Sequence, residues 1–335
     1  MSVILPDDRF AQLMPVLNAI DSCLVIGHID PDADCIGSML AVTWALRRLG
    51  KRCDPVSSDP IPANCAFLPG VDEIMRAEDV DIESYQVLIV VDCEPDRTGL
   101  ALPLLEQFES VINIDHHITN MNTAPLAWVD PTAAATGELV YALISRLGLQ
   151  LNRDAAVMLY TAIAGDTGFF RYSNTTARAM RIAADLIGCG VQPDVISRHL
   201  NETHSWAYMQ LVRQALSTLS RTPDGKVAWI FISKDMLDVA GMQWNETDSL
   251  VQYPRMLAGI EVALILREIG PNEIRVGLRS QTYVDVSRIA GVFGGGGHQR
   301  AAGCTIRLPY QEALTALLHE IKVALASPGA VAWGD

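Results

Sequence analysis

The sequence predicts an α/β protein: an N-terminal domain built on a parallel sheet with helices on both faces, then a smaller C-terminal α/β domain. Three observations carry this expectation. Apolar runs of strand length lie at Cys23–Gly27, Val87–Val91 and Val111–Ile114, and each ends directly in an acid or an imidazole, namely His28, Asp92 and Asp115. The opening stretch reads strand, helix, strand, a unit that implies parallel neighbours and a right-handed crossover. Beyond about residue 190 the texture changes to a long amphipathic stretch followed by shorter strand patterns.

Taken in order, residues 9–20 have helical spacing, with Pro15 as an interruption. After the strand at Cys23–Gly27, a polar loop runs through Pro31. Gly37–Leu49 sets Met39, Leu40, Val42, Trp44 and Leu46 at helical spacing and stops at Gly50. Lys51–Val56 starts a second strand. Residues 57–84 are irregular, with Pro55, Pro60, Pro62 and Pro69 as breakers. The strands Val87–Val91 and Val111–Ile114 come next. Helices are predicted at Ala133–Leu147, at Asp154–Ala164, which is apolar nearly all round and therefore buried, and at Thr175–Ile187. Pro193–Leu219 reads as helical and amphipathic, a connector between the domains. Thr222-Pro223-Asp224-Gly225 is a turn. Strands follow at Val227–Ile232, Ile260–Leu266 and Ile274–Leu278, and Pro309–Leu325 forms a closing helix. The expected organisation is a first domain over residues 1–190, a helical connector over 191–220 and a second domain over 221–335.

With 335 residues, 50% hydrophobic and 19% charged, the chain has core material for two domains and is not disordered. A net charge of -14 argues against binding long nucleic acid, which rests on neutralising phosphates with Lys and Arg. Part of that acidity is expected to be metal-binding carboxylate. The 7 cysteines include no C-x-x-C pair and read as reduced thiols of a cytoplasmic protein. The N-terminus lacks the pattern of a signal peptide. No apolar run reaches the ~20 residues that cross a bilayer, so no membrane partner is expected.

The chemistry is concentrated at the strand tips. In an open α/β sheet, ligands bind beyond the carboxyl ends of the strands. His28-x-x-x-Asp32-x-Asp34 lets an imidazole and an acid fold toward one ion, with Asp34 able to reach a second; the alternative is a loop whose aspartates cap the next helix. Asp92 follows a strand, and Arg97 nearby is able to hold a phosphate bidentately or to pair with Glu94 or Asp96. Asp115-His116-His117 leaves a buried strand, and adjacent histidines on an extended backbone point in different directions. Asp166, in Gly165-Asp166-Thr167-Gly168, ends an apolar helix, where a carboxylate opposes the helix dipole and a cation would offset the cost. Oxygen and imidazole together suit a hard or borderline divalent metal. In the C-terminal domain, Gly294-Gly295-Gly296-Gly297-His298 exposes backbone N–H groups to a phosphate or carboxylate, and Arg275 and Arg279 add basic contacts.

Together these strings resemble the DHH phosphoesterases, with His28–Asp34, Asp92, Asp115–His117 and Asp166 in the family's order and the glycine run matching its associated C-terminal domain. The two-domain length is similar to the members that hydrolyse short oligoribonucleotides (nanoRNA) and dephosphorylate 3′-phosphoadenosine 5′-phosphate. The resemblance implies two Mn²⁺ ions, with Mg²⁺ or Co²⁺ as substitutes. One is held by His28, Asp32 and Asp92, the other by Asp34, Asp92, His116 and Asp166. It implies catalytic roles for His117, Asp115 and Arg97, and substrate contacts from Arg279, Gly295, Gly296, Gly297 and His298. The implied partners are short RNA or a mono- or dinucleotide, and a homodimer is compatible with it. Hydrolysis of cyclic di-AMP or its linear product stays open as the alternative activity. A non-catalytic nucleotide sensor on the same scaffold would be marked by lost ligand residues, and none is lost.

Overall fold

The computed structural model describes residues 8–326 apart from 101–104, 106, 109 and 122. The chain divides into two compact units, Met1–Thr203 and His204–Asp335.

The first unit runs α1 (Asp8–Ala19), β1 (Ser22–Ile26), α2 (Ala33–Arg48), β2 (Arg52–Ser57), β3 (Met75–Arg76), β4 (Val87–Val91), β5 (Ser110–Asp115), β6 (Leu126–Val129), α3 (Thr136–Arg146), α4 (Arg153–Asp166), α5 (Ala177–Gly188) and α6 (Pro193–Asn201). Its six strands lie in the order β3-β2-β1-β4-β5-β6, all parallel. The order reverses between β1 and β4, and a crevice opens at the carboxyl ends of such a pair. Alternate residues face opposite cores. Val25, Ile89 and Ile114 pack with α1 to α4, whereas Leu24, Leu88 and Val90 pack under Tyr85 and Phe108. Burial on both faces explains why these strands are continuous apolar runs.

The first two helices differ from expectation. Pro15 does not interrupt α1, which runs through it. Phe10, Leu13 and Leu17 are buried along one stripe of that helix, and about 2 kcal/mol per buried large side chain outweighs the ~3 kcal/mol cost of the proline. α2 starts at Ala33 rather than Gly37, because Asp32 caps it by accepting from the N–H groups of Asp34 and Cys35, each at 3.0 Å. The edge strand β6, not expected from the sequence, lies beside β5 with Trp128 opposite Ile114.

The 193–219 stretch forms two helices. α6 ends at Asn201, and α7 (Trp206–Ser217) begins after Ser205, whose hydroxyl caps it by accepting from Tyr208 N–H. α6 closes the first unit and α7 opens the second. The second unit continues with β7 (Ser220–Arg221), β8 (Val227–Ile232), α8 (Lys234–Ala240), β9 (Val262–Gly270), β10 (Glu273–Ser280), α9 (Val286–Val292), β11 (Gly296–His298), β12 (Ala301–Ile306) and α10 (Tyr310–Ala326). Its six strands lie in the order β11-β12-β10-β9-β8-β7. β8 and β9 are parallel and the other pairs antiparallel. One face, with Leu264, Val276 and Cys304, is covered by α9 and α10. The other face is covered over β8 and β9 by α7 and α8.

Candidate metal centre

Three strand tips and three helix ends of the first unit meet at one place. β1 delivers His28, whose Nδ1–H donates to Ile29 O at 2.7 Å. That fixes Nε2 toward Asp92 Oδ2 at 3.5 Å and Asp32 Oδ1 at 3.8 Å. β4 delivers Asp92, buried and in the left-handed region at φ 64, a conformation that Asp tolerates better than most side chains. β5 delivers Asp115, His116 and His117. His116 Nδ1–H donates to Ala133 O at 3.3 Å. Its Nε2 then faces Asp166 Oδ2 at 3.1 Å, Asp92 Oδ1 at 3.5 Å and Asp34 Oδ2 at 3.8 Å.

The expected divergence of the two histidines is corrected: their rings meet edge to face with centroids 4.7 Å apart. They differ instead in what fixes them. His117 Nδ1–H donates to Asp115 Oδ1 at 2.7 Å. Asp115 Oδ2 accepts from Asn120 Nδ2 at 2.6 Å, and the same nitrogen donates to Asn113 Oδ1 at 2.7 Å. Asn113 is anchored in turn on Cys93 O at 2.6 Å. Burial would push the Asp115 carboxyl up, but the His117 and Asn120 hydrogen bonds and the imidazole charge hold it down at about 2.

The helix ends approach closely because their contacts are made of small residues. A Cβ on Gly37 of α2 would lie 2.5 Å from Met158 O of α4, and one on Gly137 of α3 would lie 2.7 Å from the Ala162 Cβ. One on Gly165 would lie 2.8 Å from the Ala33 Cβ. This spacing brings Asp166, at the C-terminal end of α4, to the starts of α2 and α3. Asp34 is fully buried there. It accepts from Ser38 Oγ at 3.0 Å, Thr136 N at 2.6 Å and Gly137 N at 2.9 Å.

Seven side chains therefore converge: His28, Asp32, Asp34, Asp92, His116, His117 and Asp166. Their ligand atoms fall into three groups, within each of which they lie inside 4.8 Å of one another: His28, Asp32 and Asp92; Asp34, His116 and Asp166; and Asp92, His116 and His117. Asp92 belongs to two of them. Asp32, half-exposed, caps α2 and faces His28 with the same oxygen, so the capping role is observed and that oxygen also faces the imidazole.

The donor chemistry fits cations. With Nδ1–H given to a main-chain carbonyl, a neutral His28 or His116 turns a lone pair toward carboxylate lone pairs. Two acceptors face each other, and only a proton or a cation between them is favourable. A ring N–H on a carbonyl is also the usual support of a metal-ligating histidine. The titration of these groups has the same cause. Burial would lower the His28 imidazolium, but Asp32 and Asp92 hold it up at about 11. Burial would lower His116 too, and Asp166, Asp92 and Asp34 raise it well above its ordinary value. Burial, then the charges of Asp92 and Asp166, push the Asp34 carboxyl well up.

Arg97 ends a 3₁₀ turn after Asp92, and its carbonyl accepts from Ile29 N at 2.9 Å, tying this turn to the His28 loop. Its side chain is exposed and makes no ion pair with Glu94 or Asp96 among the described residues. Glu94 instead accepts from Met121 N–H.

In the second unit the glycine run divides: Gly294 lies in a turn, Gly295 outside any strand, and Gly296 and Gly297 in a strand. Gly296–His298 is the edge strand β11, paired with β12 through Gly296–Gly303, Gly297–Ala302 and His298–Ala301. A Cβ on Gly295 would lie 2.2 Å from Gly303 O, and one on Gly297, at φ 137, 2.6 Å from Ala301 O. Those two glycines serve close strand packing, whereas Gly296 has nothing within 4 Å of a built Cβ. Arg279 pairs with Ala301 from the other side. Arg279 and His298 therefore share one face of the sheet, over β10 to β12, where Ala301, Gly303 and Thr305 are only partly buried.

Sequence reasoning missed Thr136, Asn113 and Asn120. The sign for Thr136 was a helix start without a side-chain cap. Ala135 stands at that position, so the first N–H groups of α3 need acceptors from elsewhere, and Asp34 supplies them.

Residues 22–163 match the DHH family, N-terminal domain, and residues 231–327 match the DHHA1 domain. A bifunctional oligoribonuclease and PAP phosphatase NrnA of Thermus thermophilus is 34% identical over 330 residues, covering 97% of this chain and 98% of the relative. The protein of the same name from Bacillus subtilis is 28% identical, covering 88% and 92%. In fold, the chain is similar to an exopolyphosphatase-related protein from Bacteroides fragilis, with TM-score 0.89, 23% identity and coverage of 96% and 98%. It is also similar to RecJ from Thermus thermophilus in complex with Mn²⁺, with TM-score 0.54 and 16% identity, covering 98% of this chain and 56% of RecJ. With both of its domains matched in order and a relative of this identity aligned along nearly its whole length, the chain belongs to the DHH family.

Proposed function

We propose that the chain is a metal-dependent phosphoesterase that hydrolyses very short oligoribonucleotides and removes the 3′-phosphate of 3′-phosphoadenosine 5′-phosphate. One observation carries the reading: Asp92 stands between two carboxylate–imidazole groups, with Oδ2 toward His28 and Oδ1 toward His116, each at 3.5 Å. The names of the relatives at 34% and 28% identity support the substrate class. Two divalent ions would be held by His28, Asp32 and Asp92 and by Asp34, Asp92, His116 and Asp166. Mn²⁺ is the candidate tested first, since oxygen and imidazole donors together suit a borderline divalent ion. When bound, the ions supply Lewis-acid activation of water and neutralise charge at phosphorus.

The chain's own groups do the rest. With Nδ1–H committed to Asp115, His117 meets a phosphate through Nε2, binds the scissile group and passes a proton to the leaving oxygen. Asp115 holds the tautomer. The exposed Arg97 binds a phosphate oxygen. In the second unit, Arg279, His298 and the backbone of Gly296 and Gly297 are the proposed substrate contacts; the Gly295 N–H is already given to Ala290 O at 2.9 Å, so Gly295 serves by letting the strands pack closely.

Assayed with a two-nucleotide RNA and with 3′-phosphoadenosine 5′-phosphate, the protein is expected to turn over both with Mn²⁺. EDTA should cost about a hundredfold or more, the scale of losing a metal's contribution, and Mn²⁺ should restore the rate. Turnover of neither, or turnover indifferent to EDTA, rules the reading out. Preference for cyclic di-AMP would move the substrate assignment to cyclic dinucleotides.

A second expectation separates substrate grip from chemistry. Arg279→Ala or His298→Ala should raise KM for di- and trinucleotides about tenfold, as one charge-assisted hydrogen bond of ~1.5 kcal/mol is lost. A small generic ester such as bis-p-nitrophenyl phosphate should be hydrolysed nearly as before. Equal losses on both substrates would put these residues at the reacting centre.

A further inference from the structure

Thr136 touches two carboxylates that come from different elements. Its backbone N–H donates to Asp34 Oδ2 at 2.6 Å, and its Oγ1–H donates to Asp92 Oδ1 at 2.9 Å. Thr136 is itself fully buried, so neither bond competes with bulk water. Asp34 belongs to one of the candidate ligand groups and Asp92 to the two others. Asp92 sits at the end of β4 and Asp34 in the first turn of α2, and among the described residues no hydrogen bond joins them directly. We propose that Thr136 is a positioning residue that fixes the spacing between the two ion sites, by fastening Asp34 and Asp92 to the first residue of α3.

The physical reason is geometric as well as electrostatic. Two buried carboxylates repel, and each has rotational freedom about its Cα–Cβ bond. Donors that meet both from a single rigid residue reduce the repulsion and remove that freedom. The residue is rigid because Gly137 N also donates to Asp34, at 2.9 Å, and because Ala134, two residues before it, is clamped on both sides. Ala134 N–H donates to Glu138 Oε1 at 3.2 Å, and Ala134 O accepts from Asn174 Nδ2 at 3.0 Å. Partners of metal ligands in this position typically carry about ten- to hundredfold of metal affinity.

The inference rests on the two-ion reading above, and the test separates the two. Thr136→Val keeps the backbone donor and the volume but loses the hydroxyl; Thr136→Ala loses hydroxyl and volume; Thr136→Ser keeps the hydroxyl. Mn²⁺ binding is measured by equilibrium dialysis, and the exchange coupling between ions by electron paramagnetic resonance of the loaded protein. Wild type and Thr136→Ser are expected to bind two ions with a coupled spectrum. Thr136→Val and Thr136→Ala are expected to bind one of the two ions about tenfold or more weakly and to lose or alter the coupling. Wild-type coupling and affinity in Thr136→Val overturn the role of Thr136 while leaving the two-ion reading intact. Loss in Thr136→Ala alone assigns the effect to packing and overturns it too. Fewer than two ions in the wild type would sink the two-ion reading and this role with it. If Thr136→Val does not fold, the contrast between Thr136→Ala and Thr136→Ser decides, since only the hydroxyl role predicts full rescue by serine.

Discussion

Replacing Asp92 by alanine is expected to abolish phosphoester hydrolysis at every Mn²⁺ concentration, with a loss well beyond about a hundredfold, the upper scale for disturbing only a supporting partner of a metal site. The other acids contact one group each, so higher metal concentration should partly rescue their loss. Asp92 is different because its two oxygens face His28 and His116 separately, and no single ion can stand in for a carboxylate missing from both groups. Asp92→Asn is the cleaner companion variant. Asn tolerates the left-handed backbone seen at φ 64, whereas Ala adds roughly 1 kcal/mol or more of strain there. Asn also keeps an oxygen to accept from Thr136 Oγ1. If Asn and Ala are equally inactive and both still fold, the loss belongs to the charge that bridges the groups. Elemental analysis showing two ions retained in either variant would contradict the bridging role.

The parts of the site legible in the sequence are those where local physics and tertiary position agree. Val87–Val91 is buried on alternate faces against two cores, which demands an unbroken apolar run. The acid or imidazole at each strand tip marks where the sheet ends, and the ligand sites of an open sheet lie there. The strand order places β1 beside β4 at the reversal, which is why His28 and Asp92 meet. The motif spacing alone left that pairing open; the resemblance to a family supplied it.

What was not legible depends on partners distant in sequence. Gly296–His298 lacks the side-chain alternation that signals a strand, and becomes one only because β12 pairs with it. Ala133–Thr136 reads as helix by propensity, yet Ala135 is extended at φ -161. The helix starts one residue later, where Asp34 accepts the first N–H groups from 102 and 103 residues away. Asn113 looks like a polar residue misplaced in a buried strand. Its amide is what fixes Asn120 and, through it, Asp115. In each case the residue is chosen for a contact that no local pattern encodes.

The second large effect concerns the adjacent histidines, whose ring centroids are only 4.7 Å apart, so proximity does not assign their roles. Their fixed nitrogens are the ground on which we propose the roles. His116 has Nδ1 on a main-chain carbonyl and turns Nε2 into three carboxylates, Asp166, Asp92 and Asp34. His117 has Nδ1 on Asp115, a carboxylate outside all three candidate ligand groups. The first arrangement fits a ligand, with a cation taking the place of the Nε2 proton. The second leaves Nε2 as the nitrogen that can meet a phosphate and donate a proton, with Nδ1–H held by Asp115. His116→Ala is therefore expected to lose Mn²⁺, with activity following the metal. His117→Ala should keep Mn²⁺ within about twofold, since Asp92, His28 and Asp32 are untouched, while kcat for a dinucleotide falls by about a hundredfold or more, the usual worth of a general acid. The check is equilibrium dialysis of Mn²⁺ run beside kcat for each variant. If His117→Ala strips the metal and His116→Ala retains it, the roles are reversed, and the hydrogen bond to Asp115 then supports a ligand instead of an acid.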